Sequence, residues 1–268
     1  METFAEYILK EENPVSKIEI VYYLAKKTGI YLDKSVILKT EIARQFIDYM
    51  KIDVDKNLVL TACLLCNCKK VDDPQKIGKL QTYALEGANY LYNTLGFSKR
   101  FCKICEEVNR YSNSNPRERE SDILELVDQF GGMLIDRPER IGFEAEEAIV
   151  LLEHRNLKDV YNRFLNTFIE YVKEMENIEI AQNERVSVKS FKKLVKIYAE
   201  TADIKEFIKQ VAYEYAPKVD LEVSKYKDII TNQMFKDKNY NPHRALFSEE
   251  TTRKIIERIN SENIPNEE

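Results

Sequence analysis

Apolar residues recur at intervals of three and four positions along most of this chain, and few residues interrupt that spacing. The interval matches the turn of an α-helix. The 268 residues include only seven glycines and seven prolines, and every glycine lies between Gly29 and Gly142. No two segments show the alternating pattern of adjacent strands. The sequence therefore predicts an all-α fold with long helices.

The predicted helices begin after Asp, Ser, Asn, Pro or Gly, which are common at helix starts. Asn13 and Pro14 predict the start of a helix that Gly29 ends. We predict the next helices at Lys34–Met50, Asp55–Val71, Lys76–Leu95, Ser98–Tyr111, Arg117–Ile135 and Glu144–Met175. The polar stretch Asn177–Val188 is interpreted as a linker, followed by one or two amphipathic helices that end at Pro217.

These elements divide the chain into an N-terminal helical segment (1–30), a central helical domain (31–175) and a C-terminal helical region (176–268). No stretch approaches the about 20 apolar residues of a membrane helix, so we expect no membrane insertion. The acidic start lacks the basic flank of a secretory signal. We therefore expect a cytoplasmic protein whose five cysteines are reduced thiols.

Basic residues do not predict a nucleic-acid site. The net charge is −5, and Lys189, Lys192, Lys193 and Lys196 share one face of a predicted helix. Because residues 184–260 contain 16 basic and 12 acidic residues, we interpret that face as solvated. His154 has no partner at ligand spacing other than Glu153 and Asp159, and it is interpreted as a surface or helix-end histidine.

Two cysteine pairs raise the alternative of a zinc site. Cys63 and Cys66 are separated by two residues, as are Cys102 and Cys105. Zinc knuckles need a tight turn between the thiolates, whereas these pairs enclose apolar residues without glycine in helical spacing. We favour buried thiols over zinc ligands.

Five segments carry a more specific pattern: ILKTEIARQF, ACLLCNCKK, YALEGANYL, NRYSNSNP and VDQFGGMLIDRPERIGFEAEEAI. In their order and spacing, Val15 to Phe168 resembles the HD superfamily, and in detail the HD-GYP branch of bacterial cyclic-di-GMP phosphodiesterases. The last segment, with Asp136, Arg137 and Pro138, is the most specific match. The resemblance implies an HD-superfamily helical core at 31–175, with an N-terminal helix and additional C-terminal helices.

Catalysis in that family depends on imidazoles and carboxylates that hold metal ions and activate a water. The matching positions here are Lys39 for the first histidine, Cys66 and Asn67 for the His-Asp pair, Tyr83 for a later histidine, and Asn109 and Arg110 for the tandem histidines. Asp128 keeps a ligand's chemistry, and Gly131 replaces the family's second aspartate. Lys70 matches a lysine that helps to hold phosphate, and Gly87 matches a helix glycine.

The replaced ligands imply a vestigial pocket without metal, cofactor or catalytic residues. We expect a salt bridge between Lys39 and Asp128 across it. The function expected from the resemblance is a non-catalytic regulatory or scaffold module that binds a protein partner, and a homodimer fits such a helical domain.

Two alternatives remain open at this stage. The pocket, with Lys39, Lys70 and Arg110, could bind a nucleotide such as cyclic-di-GMP without hydrolysis. The chain could also be an enzyme, either through residual phosphodiesterase activity or through a Cys66 thiolate.

Overall fold

The computed structural model describes residues 2–70, 83–108, 116–137, 140–156, 162–181, 189–212 and 229–230. Within these residues the chain is helical and forms no β-strand, which confirms the predicted all-α class. The helices are α1 (Phe4–Lys10), α2 (Pro14–Thr28), α3 (Lys34–Tyr49), α4 (Lys56–Leu65), α5 (Tyr83–Asn93), α6 (Lys99–Glu106), α7 (Arg119–Leu134), α8 (Ala145–Asn156), α9 (Leu165–Ala181), α10 (Phe191–Glu200) and α11 (Ile204–Ala212). None of the described helices is long and apolar enough to span a membrane.

Side-chain caps set most helix starts where the sequence predicts them. The side chains of Asn13, Asp33, Asp55 and Ser98 accept hydrogen bonds from backbone N–H groups of the first turns of α2, α3, α4 and α6. Each cap satisfies backbone donors that have no partner inside the helix. Gly29 ends α2 in the left-handed conformation, with a φ of 70°.

Helix α1 was not predicted as a separate element, although its start signal is present in the sequence. The Thr3 side chain accepts from the backbone N–H of Glu6, and the Glu6 carboxylate accepts from the backbone N–H of Thr3. This reciprocal pair is a capping box. The pattern Thr-x-x-Glu at residues 3–6 would have located the helix.

The predicted end of α4 at Val71 is wrong, because the helix ends at Leu65. The backbone then tightens into turns in which Cys68 N–H donates to Leu65 O at 3.0 Å and Lys70 N–H donates to Asn67 O at 2.8 Å. These three-residue hydrogen bonds replace the four-residue bonds of an α-helix. The turn places the Asn67 side chain against α7.

The predicted single helix Glu144–Met175 is also wrong. The chain forms α8 and α9 as separate helices, and Asn162 lies between them. The buried Asn162 amide donates to Asp122 O at 2.8 Å and accepts from Phe164 N–H at 3.0 Å. This contact with α7 fixes the start of α9, and sequence periodicity alone does not reveal it.

We expect Asn162→Ala to lower the free energy of unfolding by about 1–3 kcal/mol, because it leaves buried backbone groups without partners. Chemical denaturation followed by circular dichroism measures the change. The control is Asn166→Ala, on the exposed side of α9. Equal losses for the two variants would show that Asn162 has no special role.

The C-terminal part of the chain corrects two further predictions. Helix α9 continues to Ala181, so residues 177–181 are helical rather than part of a linker. Lys189 is not on a solvated face: its side chain is buried, and its Nζ donates to the carbonyls of Gln210 and Val211 near the end of α11. The other lysines of that predicted face, Lys192, Lys193 and Lys196, are exposed.

Helix α3 lies at the centre of the packing and contacts α4, α7, α9, α10 and α11. A group of aromatic rings, here called the aromatic cluster, joins four of these helices. It consists of Phe46 on α3, Phe130 on α7, Phe168 and Tyr171 on α9, and Phe191 on α10, with neighbouring centroids 5.0–5.7 Å apart. The division of the chain into three parts stays a prediction, but α10 shares this core with α3, α7 and α9.

Candidate functional site

The candidate site is centred on an ion pair between α3 and α7. Lys39 Nζ lies 2.7 Å from Asp128 Oδ1, so the predicted salt bridge is confirmed. The Lys39 side chain is 8% exposed and the Asp128 side chain is 28% exposed. The ammonium is therefore enclosed, while one edge of the carboxylate faces solvent.

Gly131 makes room for the lysine. A Cβ atom at this position would lie 2.7 Å from Lys39 Cγ and 3.5 Å from Ile42 Cδ1. The first distance is too short for a side chain on α7, whereas the second is an ordinary contact, so a larger residue here would displace the aliphatic stem of Lys39.

Asn67 supplies the second hydrogen bond to the carboxylate. Its Nδ2 donates to Asp128 Oδ1 at 3.2 Å, and the residue is 4% exposed. Its Oδ1 is buried and has no hydrogen-bond partner among the described residues. A buried acceptor without a partner is costly and marks a place where a ligand or water donor would be stabilised.

Lys70 and Tyr83 lie near the same carboxylate, and Arg137 lies near Tyr83. Lys70 is close enough to help lower the pKa of Asp128, and its Nζ lies 5.1 Å from the centre of the Tyr31 ring. Tyr83 begins α5, and its pKa is raised first by burial and then by the charge of Asp128, with Arg137 acting in the opposite sense. The tyrosine therefore stays a neutral hydroxyl.

The pKa of Asp128 reflects two opposing effects. Burial alone would raise it, but the charge and hydrogen bond of Lys39, the hydrogen bond of Asn67 and the charge of Lys70 together lower it below 3.8. The carboxylate is consequently ionised at neutral pH. Among the described residues, Lys39 and Lys70 are the cationic side chains that act on this carboxylate.

The five cysteines are buried and free, and they lie on α4, α6 and the turn after α4. Burial raises the pKa of Cys66 well above that of an exposed thiol, and the charge of Asp128 raises it further. A neutral thiol is a poor nucleophile. The structure thus gives no support to the alternative in which a Cys66 thiolate does chemistry.

Gly87 brings α5 close to this thiol region. A Cβ atom there would lie 3.4 Å from both Cys66 O and Cys68 Sγ.

Cys63 and Cys66 occupy the end of α4, and Cys102 and Cys105 lie within α6, without the tight turn of a zinc knuckle. In the part of the chain that the structure describes, no group of three or more His, Cys, Asp or Glu side chains could hold a metal ion.

The metal ions implied by the resemblance do not fit the side chains found here. The Lys39 ammonium lies 2.7 Å from Asp128 Oδ1. It therefore occupies the space that a metal ion bound to this carboxylate would need. Asn67 offers an amide, which is a weaker metal ligand than a carboxylate, and burial keeps the neighbouring thiols protonated. No step of a metal-dependent reaction can be derived from this arrangement.

The segment after α7 holds the matched Asp136 and Arg137. Asp136 Oδ1 accepts from Gly142 N–H at 2.7 Å, and Arg137 and Arg140 exchange two backbone hydrogen bonds of 2.8 and 3.1 Å. The Arg140 guanidinium donates to the carbonyls of Gly132, Met133 and Ile135 at the end of α7. These contacts support a structural role for the segment, with Arg137 exposed beside the site.

Sequence reasoning missed Tyr31 as a residue of the site, and it identified Asp33 only as the residue before a helix start. The Tyr31 hydroxyl and the Ser35 hydroxyl each donate to Asp33 at 2.6 Å, and Tyr31 N–H donates to Cys68 O at 2.9 Å. Asp33 is the N-cap of the helix that carries Lys39, and an aspartate before a helix is the signal that identifies such a cap.

The structure brings together Lys39, Cys66, Asn67, Lys70, Tyr83 and Asp128, six of the eight residues predicted to form the pocket. The other two, Asn109 and Arg110, lie outside the described residues, as does Pro138. His154 is exposed on α8, as expected.

No family model matches this chain, and no characterised protein or solved structure compared with it is significantly similar.

Proposed function

We propose that this chain is a non-catalytic protein with an HD-GYP-like helical core, acting as a regulatory or scaffold module that binds a protein partner. The ion pair between Lys39 and Asp128 supports the proposal, because the resemblance assigns both residues to metal-ligand positions and an ammonium beside the carboxylate takes the place of a cation. The proposed location is the cytoplasm, which the five buried free cysteines support.

The residue correspondences on which this rests can be tested by restoring the missing ligands. The variant combines Lys39→His, Cys66→His, Asn67→Asp and Tyr83→His in the full chain. If the positions correspond to the family's ligands, this variant should bind manganese or iron, whereas the wild type should bind neither. Metal content after dialysis and isothermal titration with each metal provide the measurement.

The matched control adds Asp128→Asn to the same four substitutions and should abolish any metal binding gained. Hydrolysis of bis-p-nitrophenyl phosphate and cyclic-di-GMP, with manganese or iron added, is measured for all three proteins. Turnover by the wild type would overturn the proposal of a non-catalytic protein. Failure of the folded restored variant to bind metal would contradict the resemblance.

A second candidate function is a sensor that binds a nucleotide without cleaving it. It is favoured by the unpartnered Oδ1 of Asn67 beside a half-buried Asp128, with Lys70 and Arg137 nearby. The amide oxygen would accept a hydrogen bond from a base, and the cationic side chains would contact phosphate.

Isothermal titration with a panel of mono-, di- and cyclic dinucleotides tests the sensor. We expect Lys70→Met to weaken binding at least about tenfold, the loss of one charge-assisted contact. The control is Lys192→Met, which removes an exposed lysine of α10 and should leave the affinity unchanged. If no nucleotide of the panel binds, the sensor function is excluded and the scaffold function stands as the proposal.

A further inference from the structure

The outer face of α8 carries charged and apolar side chains that do not contribute to the core. The helix packs inward against α7 and α9. Its buried residues are Ala145, Ala148, Ile149 and Leu152. On the opposite side, four exposed residues form what we call the acidic face: Glu146, Glu147, Val150 and Glu153. Their spacing of i, i+1, i+4 and i+7 places them on one side of the helix.

The segment that holds this face also exposes apolar surface. Val150 is 61% exposed, and Ile141, four residues before α8, is 83% exposed. In the described ranges these are the two most exposed large apolar side chains. The Ile141 backbone is fixed, because its carbonyl accepts from the Arg140 guanidinium at 3.1 Å and the following Gly142 N–H donates to Asp136 at 2.7 Å. The exposure is therefore a fixed feature of the surface, of the kind that marks contact sites.

The carboxylates of the acidic face lack neighbouring cations. Residues 141–154 contain four acidic residues and no lysine or arginine, and none of the ion pairs among the described residues involves them. Glu147 supports the helix start, because its carboxylate accepts from Glu144 N–H at 3.1 Å. Glu153, in contrast, lies in the last turn, where a negative charge is unfavourable. Helix stability thus explains only part of this charge pattern.

Helix α10 carries the complementary pattern. Four exposed residues with the same spacing form what we call the basic face: Lys192, Lys193, Lys196 and Ala199. Lys192 and Lys193 lie in the first turn of the helix, where a positive charge is unfavourable. Lys196 Nζ lies 3.9 Å from a carboxylate oxygen of Glu200, and a pair as exposed as this one contributes little. These lysines, like Glu153, are placed against the dipole of their own helix.

We infer that two copies of this chain associate by placing the acidic face of one copy against the basic face of the other. Lysine suits such a contact, because its ammonium pairs with a carboxylate while its aliphatic stem covers an apolar side chain such as Val150. The small side chain of Ala199 leaves room for the opposing helix. A two-fold axis would form this contact twice in a closed dimer. The inference does not depend on the function proposed for the site around Asp128.

Sedimentation velocity of the full chain at increasing protein concentration measures the association. The wild type should form a dimer at about 0.1 M salt and dissociate at about 1 M, where charges are screened beyond about 3 Å. Reversal of the acidic face by Glu146→Lys, Glu147→Lys and Glu153→Lys together should weaken the association at least about tenfold, because attraction becomes repulsion. A wild type that stays monomeric at low salt would overturn the inference.

The second variant reverses the basic face by Lys192→Glu, Lys193→Glu and Lys196→Glu together, and it should lose the association to a similar extent. An equimolar mixture of the two reversed proteins should form a heterodimer, because each reversed face then meets a face of opposite charge. Dimers of either reversed protein alone, or a mixture of folded proteins that stays monomeric, would contradict the proposed contact.

The matched control carries the same change in net charge on other surfaces, through Glu12→Lys, Asp53→Lys and Glu170→Lys at exposed positions. It should associate like the wild type, and an equal loss would assign the effect to net charge instead of the two faces. Should a reversed variant fail to fold by circular dichroism, carbodiimide cross-linking of mixed ¹⁵N-labelled and unlabelled wild type decides. Cross-links between copies must join the acidic face to the basic face, and cross-links confined to other residues refute the contact.

Discussion

Replacement of Asp128 by leucine should lower the free energy of unfolding by about 3–5 kcal/mol, because it leaves the enclosed ammonium of Lys39 without a counter-charge. Lys39→Met should cost less, about 1–3 kcal/mol. The remaining carboxylate keeps 28% of its side-chain surface exposed and retains the hydrogen bond from Asn67. Urea denaturation followed by circular dichroism measures both values.

The double variant Lys39→Met with Asp128→Leu separates the ion pair from its surroundings. Buried ion pairs replaced by apolar side chains of similar size are often neutral in stability. We expect the double variant to lie within about 1 kcal/mol of the wild type, far from the sum of the single losses. Additive losses would mean that the two side chains contribute independently and that the pair is not the organising contact of the site.

The same pair predicts the acid response. The pKa of Asp128 is lowered below 3.8 in the folded protein, so the unfolded chain takes up its proton first as the pH falls. The stabilisation from this carboxylate is therefore complete above about pH 4 and is lost as the pH falls further. The double variant should lack this part of the acid sensitivity.

Phe168→Ala should strongly destabilise the core, with an expected loss in the free energy of unfolding of about 3–5 kcal/mol. Its ring lies 5.0 Å from that of Phe46 and 5.2 Å from that of Phe130, in edge-on contacts. These partners belong to α3 and α7, the helices that carry Lys39 and Asp128. Thermal and chemical denaturation provide the measurement.

The conservative control is Phe168→Leu, which keeps most of the volume and should lose clearly less stability. The half-buried Phe143, which stacks near Arg140, provides a second control as Phe143→Ala. If Phe168→Ala costs no more than Phe143→Ala, the aromatic cluster does not hold the site helices together. We also expect Phe168→Ala to reduce the coupling energy between Lys39 and Asp128.

The sequence was sufficient to predict the helical class and the central pair of the site. Helix starts with Asn13, Asp33 or Asp55 were predictable because the capping side chain is adjacent in sequence to the helix that it caps. Lys39 and Asp128 were matched through the spacing of the resemblance, and the compensating charges then predicted their contact. The helix starts were predicted from neighbouring residues, and the contact of Lys39 with Asp128 from their opposite charges.

The errors arose where distant residues decide local structure. Asn162 separates α8 from α9 by bonding to Asp122, forty residues away in sequence. Lys189 is buried because the carbonyls of Gln210 and Val211 receive its amine, and helical spacing alone would place it in solvent. Such partners cannot be identified from a single sequence without the fold.

The contacts of Lys34 with the C-terminal helices determine where the chain can be shortened. Its Nζ donates to Tyr198 O and Thr201 O, both at 2.6 Å, and lies 4.5 Å from the centre of the Tyr198 ring. A fragment cut at residue 175 would strip these acceptors from the first residue of α3 and uncover the ring of Phe130 where Phe191 packs. Expression of the central region alone should therefore give an insoluble product, and a soluble fragment must include α10 and α11.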